Sequence, residues 1–211
     1  DKMVCIHNGI EPKMIQGKKN KAEIRGELGI DEGAVVVGTV GRLVPIKGLE
    51  YFLKAVRIMK EKVPRLKALL VGDGPERTNL KRLASGLGLD DCVIFTGHRD
   101  DIFDIIASLD VFVMPSLSEG IPMVLLETLL LGVPVVATNV GGMPEILKNK
   151  ETGILVPPQD EKSLADSCMY LFEHREEAKL MAERAKMRVQ ENFSSDLMAA
   201  RVSQLYRSLI P

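Results

Sequence analysis

Aromatic and cysteine side chains are scarce in this sequence. Its 211 residues include no Trp, three Tyr, six Phe and three cysteines, so a core must be built mainly from Leu, Val, Ile and Met. Cys5, Cys92 and Cys168 lie far apart and form no Cys-x-x-Cys pair, which disfavours a disulfide scaffold and a zinc cluster. A reducing, cytoplasmic location is the simplest expectation.

An excess of charge of one sign and a long hydrophobic run are also missing. The 28 basic and 29 acidic side chains argue against a nucleic-acid binder that depends on bulk positive charge. No run approaches the roughly 18 uninterrupted apolar residues of a membrane helix, and the first residues do not form the apolar segment of a signal peptide. With 45% apolar residues, the chain is expected to form a globular domain with a large aliphatic core.

What the sequence does contain is a regular alternation of short apolar runs and helix-period segments from residue 34 onward. The runs are rich in β-branched residues and apolar on both faces, which is typical of buried parallel strands joined by helices. Right-handed crossovers then predict an α/β fold with a doubly wound, Rossmann-like parallel sheet. Strands are predicted at 34–40, 67–72, 92–96, 111–115, 134–138 and 154–156, and helices at 48–63, 76–87, 100–108, 122–131 and 143–148.

The two ends of the chain have different patterns. Val4-Cys5-Ile6 before Asn8-Gly9 is typical of a strand tail followed by a turn. The lysine-rich residues 11–22 are interpreted as a solvated linker in preference to an anion-binding loop. Two or three helices are predicted over 160–191, and a last helix over 195–210 that Ser194 can cap.

Glycine, polar and charged residues follow each of the first five predicted strands, and in a parallel sheet these connections meet at one edge to form a cleft. The dinucleotide fingerprint and the P-loop are both incomplete, because positions 77 and 46 are not glycine. Arg42 and Lys47, flanked by Gly41 and Gly48, are the best candidates to bind a diphosphate near a helix N-terminus. The alternative is a pair of solvated surface charges.

Two glutamates, Glu119 and Glu127, form a second candidate group. The predicted helix over 122–131 is apolar nearly all round and therefore buried, so the Glu127 carboxylate is costly unless it is paired or hydrogen-bonded. It could form an internal ion pair, for example with Arg42, or accept the two hydroxyls of a ribose. Glu119 precedes the helix, where it could reach a ligand or simply be an acid favoured by the helix dipole.

Two further features are candidate ligand contacts. His98, beside Arg99 after the third strand, is the one histidine in a position to meet a ligand, although a surface role is the simpler interpretation. Gly141-Gly142 could form an anion-binding nest, although a tight turn into the next helix is favoured. The three histidines show no metal spacing, and no metal site is predicted.

Taken together, these motifs resemble the retaining glycosyltransferases of family 4. The two glutamates with seven residues between them form the signature of that family, which is weak alone and specific in combination. This chain has Gly-Ile-Pro after the first glutamate, where the better-known form has Phe-Gly. The matching motifs span about residues 3 to 210 and are Val40-Gly41-Arg42-Leu43 with Lys47-Gly48, Val71-Gly72-Asp73-Gly74-Pro75, Ser118-Glu119-Gly120-Ile121-Pro122 through Glu127, Val133-Pro134-Val135-Val136-Ala137-Thr138, Gly141-Gly142-x-Pro144-Glu145 and Gly153-x-Leu155-Val156.

The resemblance implies a GT-B enzyme, in which two Rossmann-like domains enclose the active site, and this chain resembles the C-terminal, donor-binding half. It implies an interdomain junction at 1–12, a nucleotide-sugar binding domain at 13–192 and a crossing helix at 193–211. The N-terminal acceptor domain would be absent from the chain, so the chain alone is expected to fold but to transfer nothing.

The implied reaction is transfer of a sugar from a UDP- or GDP-linked donor with retention of configuration, without a cofactor or metal. Arg42 and Lys47 would bind the diphosphate and neutralise it as it leaves, and Glu119 would position the sugar; these three are the implied catalytic residues. Glu127 would bind the ribose. The other implied donor-binding residues are Gly41, His98, Arg99, Gly120, Ile121, Pro122, Met123 and Val124.

Implied partners are the donor, an acceptor saccharide, lipid or small molecule, and the N-terminal domain, but no nucleic acid. The expected location is cytoplasmic, with attachment to the inner face of the membrane left open. Three alternatives remain: a non-catalytic nucleotide-sugar binding module, a sugar-nucleotide epimerase of the same fold, and a glycoside hydrolase. The hydrolase is disfavoured because Glu127 inside an apolar helix is poorly placed to flank a scissile bond, and Arg42 and Lys47 would have no role.

Overall fold

The computed structural model describes residues 3–209, so positions 1–2 of the predicted junction and 210–211 of the predicted last helix lie outside the described residues. Its centre is a six-stranded parallel sheet of β1 (Val35–Val40), β2 (Leu66–Val71), β3 (Val93–Gly97), β4 (Val111–Met114), β5 (Val135–Thr138) and β6 (Ile154–Val156). The strand order is β3-β2-β1-β4-β5-β6. The predicted α/β fold with a doubly wound sheet is therefore confirmed.

Helices cover both faces of the sheet. The helices are α1 (Lys21–Glu27), α2 (Leu49–Lys60), α3 (Arg77–Gly86), α4 (Ile102–Ser108), α5 (Met123–Leu130), α6 (Met143–Ile146), α7 (Glu161–Glu173), α8 (Arg175–Asn192) and α9 (Ser195–Leu209). One core layer contains buried residues of β1, α2, α3 and α7, the other contains buried residues of α1, α4, α5 and α6, and α8 contributes to both. Burial of each large aliphatic side chain contributes roughly 1.5–3 kcal/mol.

The strand order places a topological switch between β1 and β4. The chain runs outward from β1 to β3 and then returns to the other side of β1 to form β4. The connections that leave these two neighbouring strands diverge to opposite faces, which opens a crevice at their carboxyl ends. The segments after β1 and β4 contain Arg42, Lys47 and Glu119, so the fold brings these candidates to the crevice.

Helix α1 differs from the expectation that residues 11–22 form a solvated linker, because it begins at Lys21. Its start is a capping box, in which Asn20 and Glu23 accept each other's backbone N–H groups. Lys21 and Arg25 then bind Asp110 at 2.7 and 2.9 Å. Burial opposes ionisation of Asp110, but these cations and the N–H of Val36 outweigh it and hold its pKa below the ordinary value. The helix is thus fixed to the sheet by charge pairs that only the tertiary structure forms.

The N-terminal segment of the chain contacts the junction of α8 and α9. The N–H of Ile10 donates to the carbonyl of Phe193 at 2.8 Å, and the N–H of Ser195 donates to the carbonyl of Ile10 at 3.0 Å. The predicted strand tail at Val4–Ile6 is wrong, because these residues lie in no strand and are largely exposed. The predicted cap is confirmed, since Ser194 Oγ accepts from the N–H of Leu197 at 3.2 Å.

Two further helix bounds differ from the prediction. Pro122 is extended and precedes α5 instead of opening it, and α6 ends at Ile146. None of the α9 residues is buried.

Within residues 3–209, no helix combines the length and the apolar character needed to cross a membrane.

Candidate functional site

The turn after β1 and the loop after β4 lie directly against each other. The N–H of Leu117 donates to the carbonyl of Ile46 at 2.8 Å. Gly48 has a φ of +61°, and a Cβ atom there would lie 2.2 Å from the carbonyl oxygen of Pro115. Only glycine permits this approach together with a left-handed backbone. Gly48, which directly follows Lys47, therefore allows the two loops to pack against each other.

This contact brings Lys47 to Glu119. Lys47 Nζ lies 2.6 Å from Glu119 Oε1, although 72 residues separate them in the chain. The Glu119 side chain is 9% exposed and the Lys47 side chain is 25% exposed, so the ion pair is mostly shielded from water. Lys47 and Glu119 have separate expected roles, Lys47 on the diphosphate and Glu119 on the sugar, and the structure shows that the two side chains form one ion pair.

Ser116 belongs to the same unit and was missed as a candidate. Its hydroxyl donates to Glu119 Oε1 at 2.6 Å, and the residue is 1% exposed. The available signal in the sequence was a hydroxyl residue directly after the apolar run of β4, three positions before the glutamate. That signal is weak, because serine is common in any loop that follows a strand.

The opposite side of the Glu119 loop is supported by Gly141 and Gly142. The N–H of Gly142 donates to the carbonyl of Glu119 at 3.3 Å. A Cβ atom on Gly141, whose φ is +50°, would lie 1.8 Å from that same carbonyl oxygen. The favoured interpretation of a tight turn fits this geometry, and the turn has the additional effect of holding the carbonyl of Glu119.

Arg42 lies on the same turn as Lys47 but is exposed, and its guanidinium makes no ion pair or hydrogen bond with any residue from 3 to 209. The next residue, Leu43, is buried, donates its N–H to the carbonyl of Asp73 at 2.9 Å and accepts from the N–H of Glu76 at 3.0 Å. The backbone that carries Arg42 is therefore fixed while its charge remains available.

Glu127 lies in α5, about 6 Å along the helix axis from Met123. It forms no ion pair with Arg42 or with any other residue of the described part, and burial alone raises the pKa of its carboxyl above the usual range. The predicted burial of α5 is otherwise met, with Met123 its exposed apolar residue at 37%. A partly buried carboxylate without a partner is unfavourable for the fold, which makes it a candidate for ligand binding.

The backbone before and at the start of α5 offers hydrogen-bond donors. Among the described residues, the N–H groups of Gly120, Ile121, Met123 and Val124 have no acceptor, as expected for a helix N-terminus. Pro122 has no N–H and contributes the extended backbone that starts the helix. These donors follow Glu119 within five residues, so they belong to the same loop and helix start that Lys47 contacts through Glu119.

The loop after β3 is not brought into contact with this group. Arg99 forms a two-pronged pair with Asp101, at 2.8 and 2.6 Å, and His98 has 79% of its side chain exposed. Since β3 lies two strands from β1, the start of its loop is about 10 Å away across the sheet. His98 and Arg99 thus remain predictions for the far end of a long ligand.

The site as a whole combines an available guanidinium, a Lys–Glu–Ser cluster, a helix N-terminus and a carboxylate without a partner. Cations and N–H groups bind phosphate oxygens, whereas carboxylates accept hydrogen bonds from hydroxyls. The arrangement therefore suits a ligand that contains both phosphate groups and vicinal hydroxyls.

Comparison with known proteins gives concordant results. The model of the family described as "Glycosyl transferases group 1" matches residues 20–188. N-acetyl-alpha-D-glucosaminyl L-malate synthase of Bacillus anthracis is 29% identical over 205 residues, which are 97% of this chain and 53% of that protein. The chain spans about half the length of the curated relatives it matches.

Two solved structures show the same fold. HepE of Anabaena, in complex with UDP, superposes with a TM-score of 0.89 and 27% identity, over 96% of this chain and 57% of that one. The C-terminal domain of the glycosyl transferase group 1 protein LpcC of Francisella tularensis superposes with a TM-score of 0.79 and 26% identity, over 89% of this chain and 100% of that one. A domain of this size and fold therefore exists as a separate folded unit.

Proposed function

The chain belongs to the glycosyl transferases group 1, and on this basis we propose that it binds the nucleotide-sugar donor of a two-domain, retaining enzyme of family 4. The observation that carries the proposal is the Lys47–Glu119 pair beside the available Arg42, at the switch point of the sheet. The donor would be UDP- or GDP-linked, and HepE, crystallised with UDP, supports UDP.

The diphosphate would be bound by Arg42, Lys47 and the N–H groups at the start of α5. An ammonium group has three donors, and Lys47 uses one on Glu119, so two remain for phosphate oxygens. Lys47 would bridge the carboxylate and the phosphate nearest the sugar. Positive charge fixed at this point stabilises the diphosphate as the bond to the sugar breaks, and it needs no rearrangement at that moment.

Glu119 would position the sugar rather than attack it. One of its oxygens already accepts two hydrogen bonds, one of them from a cation, which lowers its nucleophilicity and fixes its direction. Glu127 would accept the ribose hydroxyls. A non-catalytic binding module and an epimerase share this donor site and differ from a transferase only in the fate of the bound donor, so a test for transfer to an acceptor separates them.

The domain organisation follows the same proposal: a junction at 1–12, a donor-binding domain at 13–192 and a crossing helix at 193–211, with a further domain for the acceptor. Support comes from exposed apolar side chains at both ends of the chain. Met3 and Val4 are 93% and 64% exposed, and Tyr206 and Leu209 on α9 are 65% and 70% exposed. We propose that the acceptor domain covers them and that the enzyme acts in the cytoplasm.

Thermal unfolding with UDP, GDP, ADP and their sugars tests the donor site. One nucleotide at about 100 times its dissociation constant should add about 2.7 kcal/mol, which raises Tm by roughly 5–10 °C in a domain of this size. The Arg42→Ala variant should have the Tm of the wild type without ligand and lose most of the shift with it. Arg82, an exposed arginine on α3 without an ion pair to any residue in 3–209, provides the matched control Arg82→Ala. An undiminished shift in Arg42→Ala would contradict the diphosphate site.

Glu127→Gln should separate stability from binding. At neutral pH the variant removes a partly buried charge, so its stability should equal or exceed that of the wild type by up to about 1 kcal/mol, while nucleotide affinity falls about tenfold. The pKa of Glu127 is raised above 4.5 in the folded chain. As pH falls through that raised pKa, the wild type should gain stability relative to the variant and lose its advantage in affinity.

Calorimetric titration between pH 7 and pH 4.5 measures the affinity, and thermal unfolding over the same pH range measures the stability. Glu173→Gln, at an exposed position, serves as the control. Equal affinity of Glu127→Gln and wild type at pH 7 would refute the ribose role.

A further inference from the structure

Ser116 occupies a position between the sheet and the candidate site. It follows β4 by two residues, is 1% exposed and donates its hydroxyl to Glu119 Oε1 at 2.6 Å. A buried hydroxyl that points at a carboxylate in a crevice has a defined partner and a defined direction. Ser116 can therefore do more than fill space in the core, because its hydroxyl can orient the Glu119 carboxylate.

The backbone of Ser116 is itself fixed from the neighbouring strand. Thr138, fully buried at the end of β5, donates its hydroxyl to the carbonyl of Ser116 at 2.6 Å. On the other side, the carbonyl of Pro115 lies against Gly48, and Leu117 is bonded to Ile46. The backbone of three consecutive residues is thus held from two sides, by the turn after β1 and by the end of β5, so the backbone that carries the serine hydroxyl cannot shift without moving the sheet edge.

Both donors to Glu119 meet at one of its two oxygens. Lys47 Nζ and Ser116 Oγ each lie 2.6 Å from Oε1, and Oε2 accepts no hydrogen bond from any residue between 3 and 209. Lysine has a long, flexible side chain and can follow a carboxylate that rotates, whereas the short serine side chain on a fixed backbone cannot. The direction of the carboxylate is therefore determined by Ser116 more than by Lys47.

We propose that Ser116 is a positioning residue that holds Glu119 by Oε1 and thereby presents Oε2 to a hydroxyl of the donor sugar. The inference rests on the proposed function and deepens it, because it assigns the two oxygens of one carboxylate to different tasks. Oε1 belongs to the protein and Oε2 to the ligand. Ser116 acts on the sugar through Glu119 and does not act on the diphosphate or the nucleoside.

The test compares two ligands that differ only in the sugar. Dissociation constants of UDP and UDP-glucose are measured by calorimetric titration for the wild type and for Ser116→Ala. The variant should bind UDP-glucose about tenfold more weakly, the size expected for a hydrogen bond to a charged group, and should bind UDP within about twofold of the wild type. If the wild type takes GDP-mannose instead, the pair is GDP and GDP-mannose.

Ser108→Ala is the matched control. Ser108 is also fully buried and donates to a carbonyl, that of Ile105 at 2.7 Å, but it lies at the end of α4 away from the crevice. This variant should lose stability without any change in the ratio of the two dissociation constants. Thr138→Val, which removes the support of Ser116 without touching Glu119, should change the ratio in the same direction as Ser116→Ala.

The binding results distinguish a failure of the proposed donor-binding function from a failure of the proposed role of Ser116. If the wild type binds neither nucleotide nor nucleotide sugar, the proposed function fails and the inference with it. If the wild type binds both but Ser116→Ala weakens them equally, or weakens neither, the function stands and the positioning role is refuted. Should Ser116→Ala not fold, the ratio measured for Thr138→Val decides, and an unchanged ratio there overturns the inference.

Discussion

A Gly141→Ala variant is expected to unfold about 8–15 °C below the wild type. The residue has a φ of +50°, where an alanine costs roughly 1–2 kcal/mol, and the new Cβ atom would lie 1.8 Å from the carbonyl oxygen of Glu119. Since that oxygen is backbone, relief requires the whole Glu119 loop to move. The total loss should be about 3–5 kcal/mol, at the upper end of single-residue effects. Thermal unfolding measures the loss, and titration with UDP-glucose should show weakened binding.

The matched control is Gly26→Ala. Gly26 lies inside α1, and apart from the neighbouring backbone of that helix no atom lies within 4 Å of the place where its Cβ would stand. Alanine there should stabilise the chain by about 0.5–1 kcal/mol, because it restricts the unfolded chain and favours the helix. A stability loss in Gly141→Ala no larger than about 1 kcal/mol would mean that the Glu119 loop adapts freely and is not held by the glycine pair.

Lys47→Ala should cost both stability and affinity. It leaves the carboxylate of Glu119, only 9% exposed, without its cation, and breaking such a pair from one side costs about 2–3 kcal/mol when, as here, the lysine keeps some access to water. The affinity of the chain for a nucleoside diphosphate should fall at least about 30-fold, because a cation that binds the phosphates is lost as well. Chemical unfolding and calorimetric titration measure the two effects separately.

A double variant distinguishes the pair from the site. In Lys47→Ala with Glu119→Gln, the neutral amide keeps the hydrogen bond from Ser116, so most of the stability should return while the affinity does not. Lys162→Ala provides a control, since Lys162 and Asp166 form a surface pair with side chains 78% and 47% exposed. That change should leave the stability of the chain nearly unchanged, because an exposed ion pair contributes little. A double variant as unstable as Lys47→Ala would show that the unpaired carboxylate is not the source of the loss.

Much of the fold could be predicted because its elements have local causes. Buried parallel strands must be apolar on both faces, so β1 to β6 stand out as short β-branched runs, and each was predicted to within about two residues. The start of α9 is predictable from Ser194 as its cap, since a cap needs only a hydroxyl and the next backbone turn. Helix α1 was missed, although Asn20 and Glu23 carry the spacing of a capping box, because its charged residues suggested a linker.

The candidate site was only partly predictable, because its contacts join residues that are far apart in the chain. Arg42, Lys47, Glu119 and Glu127 were recognised from residue types and spacing within single turns. The pairing of Lys47 with Glu119, 72 residues away, depends on which strands are neighbours, and no local pattern encodes it. The same holds for the suggested pair of Arg42 and Glu127, which does not form in the described part of the chain. Ser116 was passed over because a lone serine after a strand has no distinguishing neighbours in the sequence.

By itself, the sequence determined the class of fold, the family and the loops in which the chemistry lies, because periodicity, glycine positions and short motifs depend on residues close together in the chain. Only the tertiary structure decided which charges neutralise one another and which remain available for a ligand. The order β3-β2-β1-β4-β5-β6 places the turn after β1 against the loop after β4, and this contact gives Glu119 a lysine, a serine and one unbonded oxygen. The physical reason is that ion pairs and hydrogen bonds act over a few ångströms in space, whatever the distance along the chain.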